Sequence, residues 1–296
     1  MTSATSGSGA PTLVEALRGR RVGVVLSAGY FGFSAHAGFV AALERAGVVP
    51  AAWSGSSAGA LVAALGAGGM RAADMATKMS AVARADFWDP APVRHAVHGL
   101  LGRGVTGLLD GGRFRALLER TLPVPRIEDS VAPLVIVTSD ITRATPRVFD
   151  RGSVAHAVHA SCAYPGLFRT VEDDGQLWDG GIIDKAPITA LSDRVPLDAI
   201  VVHYLVSATR SAPTRRHGYV GGIAQGFAAV RHEHYVLQAR LAEASGVPVY
   251  ELSPRTVELG PSRLHLGPRA LEEAREQAER ALVGPASDLR RFSPSR

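Results

Sequence analysis

A serine flanked by glycines stands where it could act as a nucleophile. Residues 55–59 read Gly-Ser-Ser-Ala-Gly, a G-x-S-x-G motif centred on Ser57. A short apolar segment precedes the motif and an alanine- and leucine-rich segment follows it, which predicts a strand, a tight turn and a helix. Such a turn exposes the serine hydroxyl, and Gly55 and Gly59 let neighbouring backbone approach closely. Without this context, the pattern would equally fit a flexible glycine-serine turn.

A serine hydroxyl needs a nearby base to remove its proton. Asp179 is a candidate because Gly180 and Gly181 follow it. The two glycines remove side-chain bulk and permit unusual backbone angles, so the carboxylate could reach Ser57 from a neighbouring loop. An ordinary turn is the alternative interpretation of this Asp-Gly-Gly sequence.

A histidine base is a second alternative, which chain order leaves open. The α/β-hydrolase order is serine, acid, histidine, and several histidines follow Asp179. They are His203, His217, His232, His234 and His265. The serine comes early, however, with room for about two strands before it, whereas several strands precede the nucleophile in that fold. The spacing therefore argues against the histidine triad of that fold.

A second glycine-containing turn, Ser27–Gly32, follows the first apolar run of the chain. Its backbone N–H groups could bind an anion. A dinucleotide site is the alternative, but Ser27 replaces the first glycine of that fingerprint and no acidic residue ends a second strand at the usual distance. Beside the Ser57 turn, these N–H groups are better interpreted as an oxyanion hole.

The surrounding elements predict a three-layer α/β/α fold with a mainly parallel central sheet and the site at the carboxyl ends of its strands. Apolar runs predict strands at 21–27, 48–53, 134–139 and 199–205, with 148–150 pairing near the third. Periodicity predicts helices at 36–46, 58–67, 156–163, 223–244 and 269–282. Residues 71–120 are interpreted as a mainly helical excursion over the site. We expect a flexible leader at 1–12, one domain at 13–286 and a polar tail at 287–296.

Together these motifs resemble those of the patatin-like phospholipases. The resemblance covers residues 21–188 and includes Ala-Ser-Cys-Ala-Tyr-Pro-Gly-Leu-Phe at 160–168. It implies that Ser57 is the nucleophile, Asp179 its base, and the amides of Gly29, Tyr30 and Phe31 the oxyanion hole. The glycine-rich turn departs from the family, because Ala28 and Tyr30 flank Gly29, Phe31 stands where a basic residue is expected, and one extra residue follows Gly32.

The composition limits the classes of partner. The net charge is +5, but the basic residues do not alternate with aromatic ones, so nucleic-acid binding is not expected. A weak attraction to anionic lipid surfaces suits this charge better. The single cysteine, Cys162, fits a reducing compartment, and no signal peptide or membrane span is recognised, so we expect a cytoplasmic protein with at most peripheral membrane contact.

The resulting prediction is a serine acyl hydrolase that cleaves lipid esters without a metal or an organic cofactor. His232 and His234 point to different faces of a predicted helix, so no metal pair is expected. The acyl chain could contact apolar residues of the excursion: Phe87, Trp88, Leu100, Leu101, Leu108 and Leu109. An esterase or thioesterase for small substrates and a catalytically silent lipid-binding module are the two alternatives.

Overall fold

A large mixed β-sheet forms the centre of the computed structural model, which describes residues 10–91, 107–206, 219–290 and 292. The strands are β1 (Val22–Leu26), β2 (Ala52–Ser56), β3 (Gly107–Leu109), β4 (Leu134–Asp140), β5 (Thr145–Phe149), β6 (Gly166–Phe168), β7 (Val171–Glu172), β8 (Gln176–Trp178), β9 (Ala199–His203) and β10 (Val249–Leu252). The helices are α1 (Leu13–Leu17), α2 (Phe33–Arg45), α3 (Ala58–Ala67), α4 (Ala72–Ala81), α5 (Gly112–Thr121), α6 (Val154–Ser161), α7 (Ile188–Ser192), α8 (Tyr219–Ala244) and α9 (Gly267–Val283). Five short 3-10 helices complete the described elements.

The strand order of the large sheet is β10-β9-β1-β2-β4-β8-β7, with β5 also paired to β4. The five strands from β10 to β4 are parallel, whereas β5, β7 and β8 form antiparallel pairs at one side. β3 and β6 form a separate two-stranded sheet. The prediction of a mainly parallel sheet in a three-layer α/β/α fold is confirmed.

The central strands are buried on both faces because their side chains alternate between two apolar cores. Val24 and Leu26 of β1 face one core, which also contains residues of α2, α3, α4 and α9. Val25 faces the other core, where it joins Ile188 of α7 and Tyr235 of α8. This burial explains why β1 reads as a nearly continuous apolar run.

Two predicted elements differ from the structure. The sequence predicts the second strand at 48–53, but β2 begins at Ala52 and continues through Ser56. The turn that holds Ser57 is therefore shorter than predicted. Ser54 and Ser56 lack an apolar signal, yet their hydroxyls donate to the carbonyls of Pro187 and Asp184, which permits burial in a strand. The 71–120 excursion contains α4 and α5 but also β3, and its residues 92–106, including Leu100 and Leu101, lie outside the described residues.

The two ends of the described chain meet. Thr12 caps α1 through the amide of Glu15 and forms a β-bridge with Pro285. Residues 286–289 form a 3-10 helix, after which Arg290 makes an ion pair with the buried carboxylate of Glu243. The leader at 1–12 lies largely outside the described residues, and the assignment of 13–286 to one domain stays a prediction. Among the described helices, none has the length and apolar character needed to cross a membrane.

Candidate active site

Ser57 occupies a strained turn between β2 and α3. Its φ is 55° and its ψ is −125°, a conformation that residues other than glycine rarely adopt. Although it caps α3, its side chain accepts no capping hydrogen bond, so the hydroxyl is not used by the helix. Strain of this kind is concentrated at functional sites. The predicted strand-turn-helix setting of the motif is therefore present.

The glycines on either side of Ser57 are required by close backbone contacts. A Cβ on Gly55 would lie 2.4 Å from the carbonyl oxygen of Gly59. A Cβ on Gly59 would lie 2.1 Å from the carbonyl oxygen of Leu26, at the end of the neighbouring strand β1. These glycines hold the start of α3 against both β1 and β2, and so fix the position of Ser57.

Ser161, the last residue of α6, supports the turn from the opposite side. Its hydroxyl accepts a hydrogen bond of 2.8 Å from the backbone N–H of Ser57 and donates one of 2.7 Å to the carbonyl of Val137 in β4. The side chain is completely buried. Ser161 thus links the strained backbone to the central sheet. It lies in the 160–168 motif, but its contact with Ser57 could not be predicted.

Asp179 follows β8 and is held by hydrogen bonds to both its backbone and its side chain. Its backbone N–H donates to Ala163, and its carbonyl accepts from the Ser139 hydroxyl at 2.8 Å. Its side-chain Oδ1 accepts from the N–H of Gly181 at 2.8 Å, which caps the following 3-10 helix. The residue is 3% exposed. Its position is therefore fixed before any substrate binds.

Gly180 and Gly181 let the Asp179 loop approach its neighbours. A Cβ on Gly180 would lie 2.0 Å from the carbonyl oxygen of Val137, and one on Gly181 would lie 2.3 Å from the Cβ of Ala28. Ala28 belongs to the glycine-containing turn after β1, so the two loops touch. The expectation that these glycines allow a close approach agrees with these distances.

The environment of Asp179 suits a base. Burial raises the pKa of its carboxyl to about 6, while interactions with the Ser57 side chain, the Gly181 amide and the positive charge of Arg231 act in the opposite direction. The other carboxylate oxygen, Oδ2, is buried and has no hydrogen-bond partner among the described residues. Asp179 therefore lies close enough to Ser57 to interact with it, without a hydrogen bond of ordinary geometry, as is common in unliganded sites.

The amides of the predicted oxyanion hole are available as donors. Within the described chain, Gly29, Tyr30 and Phe31 donate no backbone hydrogen bond. Gly32 closes the turn by donating to the carbonyl of Gly29, and Phe31 has a positive φ of 54°. A Cβ on either glycine would overlap Leu205, at 2.5 Å or less, so small residues are favoured there. The assignment of these amides to an oxyanion hole stays a prediction.

Two histidines lie beneath this turn but do not contact Ser57. His36 Nε2 is 2.8 Å from the carbonyl of Ser27, and its Nδ1 is 2.8 Å from Nδ1 of His203. Both side chains are buried, and burial lowers the pKa of each, that of His36 to about 4. No histidine in the described ranges bonds to Ser57, and His217 lies outside them.

Ser57 and Asp179 open into one large cavity of about 1120 Å³. Gly29, Tyr30, Phe31 and Gly32 line the same cavity. Of the described candidates for acyl contact, Phe87 lines it, whereas Trp88, Leu108 and Leu109 do not. Arg231 of α8 also lines the cavity, although no sequence motif marked it. In the part of the chain that is described, no group of three His, Cys, Asp or Glu side chains could hold a metal ion.

A strained serine at a strand-to-helix turn, with a buried carboxylate beside it at the carboxyl ends of parallel strands, defines a class of α/β serine hydrolases. Comparison with known families makes this specific. The sequence profile of the patatin-like phospholipases matches residues 24–192, and the chain belongs to that family. The resemblance predicted from the motifs is thereby confirmed, and the family is one of hydrolases that act on ester bonds.

Several curated proteins are similar over the same part of the chain. An uncharacterized NTE family protein of Mycobacterium tuberculosis is 30% identical over 60% of this chain and 29% of its own length. Human patatin-like phospholipase domain-containing protein 6 is 31% identical over 59% of this chain and 13% of its own. Lysophospholipase NTE1 of Kluyveromyces lactis is 26% identical over 62% of this chain and 12% of its own length. The chain thus spans less than a third of the length of these relatives.

Among solved structures, VipD from Legionella pneumophila is similar with a TM-score of 0.47 and 16% identity. The similarity covers 88% of this chain and 66% of VipD. At this level of similarity nothing about the function of the chain follows.

Proposed function

We propose that the protein hydrolyses carboxylic esters of lipids through an acyl-enzyme on Ser57, with Asp179 as the base. The observation that carries this proposal is the placement of both side chains at one cavity, with Oδ2 of Asp179 unbonded and the Ser57 hydroxyl not used by α3. The patatin-like family to which the chain belongs supports it.

The first half of the reaction transfers the acyl group to Ser57. Asp179 takes the hydroxyl proton as Ser57 Oγ attacks the ester carbonyl, and the negative charge that develops on the carbonyl oxygen is stabilised by the amides of Gly29, Tyr30 and Phe31. The tetrahedral intermediate then collapses, and the leaving alcohol receives the proton from Asp179. In the second half, Asp179 accepts a proton from the water that attacks the acyl carbonyl. The second tetrahedral intermediate collapses by breaking the bond to Ser57 Oγ, which takes the proton back from Asp179 as the fatty acid leaves. No step requires a metal or an organic cofactor.

The pKa of about 6 for Asp179 matters for this chemistry. A carboxylate with an ordinary pKa near 4 is a weak base toward a hydroxyl group. Raising the pKa strengthens the base while leaving most of it ionised at neutral pH, which is the compromise that general-base catalysis favours. Burial thus improves Asp179 as a base and keeps competing water away from the dyad.

The size and lining of the cavity favour a lipid ester over a small one. Its volume of about 1120 Å³ exceeds the range of roughly 300 to 1,000 Å³ that is typical for small-molecule sites. Apolar side chains surround much of it, among them Phe33, Leu61, Met79, Phe87, Phe114 and Leu118. The Kluyveromyces relative is named a lysophospholipase, which supports a phospholipase A-type or related lipase activity.

Hydrolysis of a medium-chain p-nitrophenyl ester tests the dyad. We expect turnover by the wild type and loss of most activity in Ser57→Ala and Asp179→Asn, with Asp193→Asn, an exposed carboxylate away from the cavity, as a matched control. Circular dichroism checks that every variant is folded. Near-normal activity in Asp179→Asn would mean that another residue is the base, and a wild type that is inert on esters and phospholipids alike would favour the silent lipid-binding module.

We also propose that the cavity is entered from a lipid surface, in a cytoplasmic protein. Three of its lining residues are large, apolar or aromatic, and substantially exposed: Tyr30, Tyr164 and Val206. Aromatic side chains with a polar tip are favoured at membrane interfaces. Sedimentation with anionic vesicles tests this contact, since a Tyr30→Ser, Tyr164→Ser variant should bind fewer vesicles than the wild type. Equal binding would contradict it.

A further inference from the structure

The cavity has two chemically different ends. Side chains from α4 and α5 and from the loops that follow α4 and α6 line one end, and none of these carries a charge. The other end is formed by the last residues of β10, the residues after β9 and β10, α8, and Lys185, which bonds to Leu205. The strand order β10-β9-β1-β2-β4 places this second end on the side of the glycine-containing turn that is remote from β4. Ser57 follows β2, which lies between β4 and the strands of this second end.

All charged side chains that line the cavity, apart from Asp179, belong to the second end. They are Lys185, Arg231, Glu251, Arg255 and Glu258. Several of them are engaged elsewhere in the protein. Lys185 Nζ donates to the carbonyl of Leu205, and the buried carboxylate of Glu251 accepts from the hydroxyl groups of Tyr235 and Ser253. The end is therefore polar, and part of its charge is already satisfied.

Arg231 is half-buried and makes no ion pair among the described residues. Its Nη1 donates to the carbonyl of Gly181 at 3.0 Å, two residues after Asp179, and its Nε donates to the carbonyl of Phe227 at 3.2 Å. A guanidinium group has five N–H donors, so three remain for a ligand. The bond to Gly181 holds this guanidinium group next to the Asp179 loop, at the charged end of the cavity.

We propose that Arg231 binds the phosphate of the substrate's headgroup. The acyl chain then occupies the apolar end, the ester lies at Ser57, and the alcohol part extends toward α8. A guanidinium group matches a phosphate because it can donate two parallel hydrogen bonds and remains charged at any working pH. This inference rests on the proposed function and narrows its substrate class to esters whose alcohol carries a phosphate, as in a lysophospholipid.

Two substrates with the same acyl chain separate headgroup binding from catalysis. We would compare lysophosphatidylcholine with a monoacylglycerol in neutral detergent micelles at pH 8, where Asp179 is ionised in every variant. For Arg231→Gln we expect kcat/KM to fall about 10- to 100-fold on the phosphate-bearing substrate and to change less than about threefold on the neutral one. Arg231→Lys should fall between the wild type and Arg231→Gln on the phosphate-bearing substrate. Arg240→Gln, on an exposed position of the same helix, is the matched control.

Each outcome decides the proposal. An equal loss on both substrates would overturn it and would make Arg231 a positioning residue for Asp179, and no loss on either would also overturn it. If the wild type hydrolyses neither ester, the proposed function fails, but binding still tests the phosphate site. Titration calorimetry with hexadecylphosphocholine on Ser57→Ala should then show affinity that Arg231→Gln lowers by a similar factor, and equal affinities would overturn the inference. Competition by inorganic phosphate distinguishes a free-phosphate site from a lipid headgroup site.

Discussion

Replacing the proposed base by its neutral isostere should stabilise the protein. The carboxyl of Asp179 has its pKa raised from 3.8 to about 6 by burial, so the folded protein holds the proton more tightly than the unfolded chain does. The neutral form is therefore compatible with folding, and ionisation in the folded state costs free energy. A shift of about 2 pKa units corresponds to about 3 kcal/mol at 1.36 kcal/mol per unit.

The pH window follows from the two pKa values. Below pH 3.8 the carboxyl is neutral in both states and its stability contribution is complete. Between pH 3.8 and about 6 the unfolded chain ionises first, so this contribution is lost as the pH rises through the folded-state pKa of Asp179. Asp179→Asn cannot ionise, so its free energy of unfolding should exceed that of the wild type by about 3 kcal/mol at pH 8 and by little at pH 4.

Urea unfolding at pH 4, 6 and 8, followed by the fluorescence of the three tryptophans, measures this difference. Asp198→Asn provides a control of opposite sign. Hydrogen bonds from Arg21 lower the pKa of the Asp198 carboxyl to about 2, so its replacement should destabilise the protein above pH 4. If Asp179→Asn is no more stable than the wild type at pH 8, or if its gain is the same at pH 4, the burial argument is wrong.

Three further results follow from the same geometry. With an ester substrate, kcat/KM should fall as Asp179 is protonated, reaching at pH 5 about a tenth of its plateau above pH 7; a flat profile would contradict Asp179 as the base. Ser161→Ala should lower kcat about tenfold or more with little change in KM, because the Ser57 backbone loses its support. Steady-state kinetics measure both constants, and an unchanged kcat would mean that the turn holds without Ser161. Gly59→Ala should cost about 3 kcal/mol of stability, since its Cβ would overlap the backbone of Leu26. Gly226→Ala, at an open helix position, is the control and should gain up to about 1 kcal/mol. Equal shifts of the melting temperature in the two variants would refute the packing argument.

The fold could be predicted where burial leaves an apolar pattern. β1, β4 and β9 are buried on both faces, and their sequences are correspondingly continuous runs of β-branched and apolar residues. The end of β2 was missed because Ser54 and Ser56 are polar. Their burial depends on carbonyl acceptors at Pro187 and Asp184, which lie more than a hundred residues along the chain. Local sequence contains no sign of such partners.

The candidate site likewise contains residues that the sequence predicts and residues that it does not. The short motifs around Ser57 and Asp179 made the strained turn and the close approach of the two loops predictable, because such contacts need glycines at fixed positions; the catalytic roles of both residues stay a prediction. Ser161 and Arg231 were missed. Each acts through one long-range contact, with the amide of Ser57 and the carbonyl of Gly181, and neither a lone serine nor a helical arginine is distinctive in sequence. The raised pKa of Asp179 could not be predicted either, since it depends on burial.

The two proposed catalytic residues are a strained serine and a desolvated carboxyl, and buried serine hydroxyl groups hold the backbone around them. Ser57 has a positive φ, and Asp179 is a buried carboxyl whose ionisation is unfavourable. Ser161 links the Ser57 turn to β4, and Ser139 fixes the carbonyl of Asp179. Because these hydrogen bonds exist without substrate, binding does not have to order the dyad, and more of the binding energy remains for the transition state. The stability that Asp179→Asn should gain is therefore the stability that the protein loses by holding a base of suitable pKa.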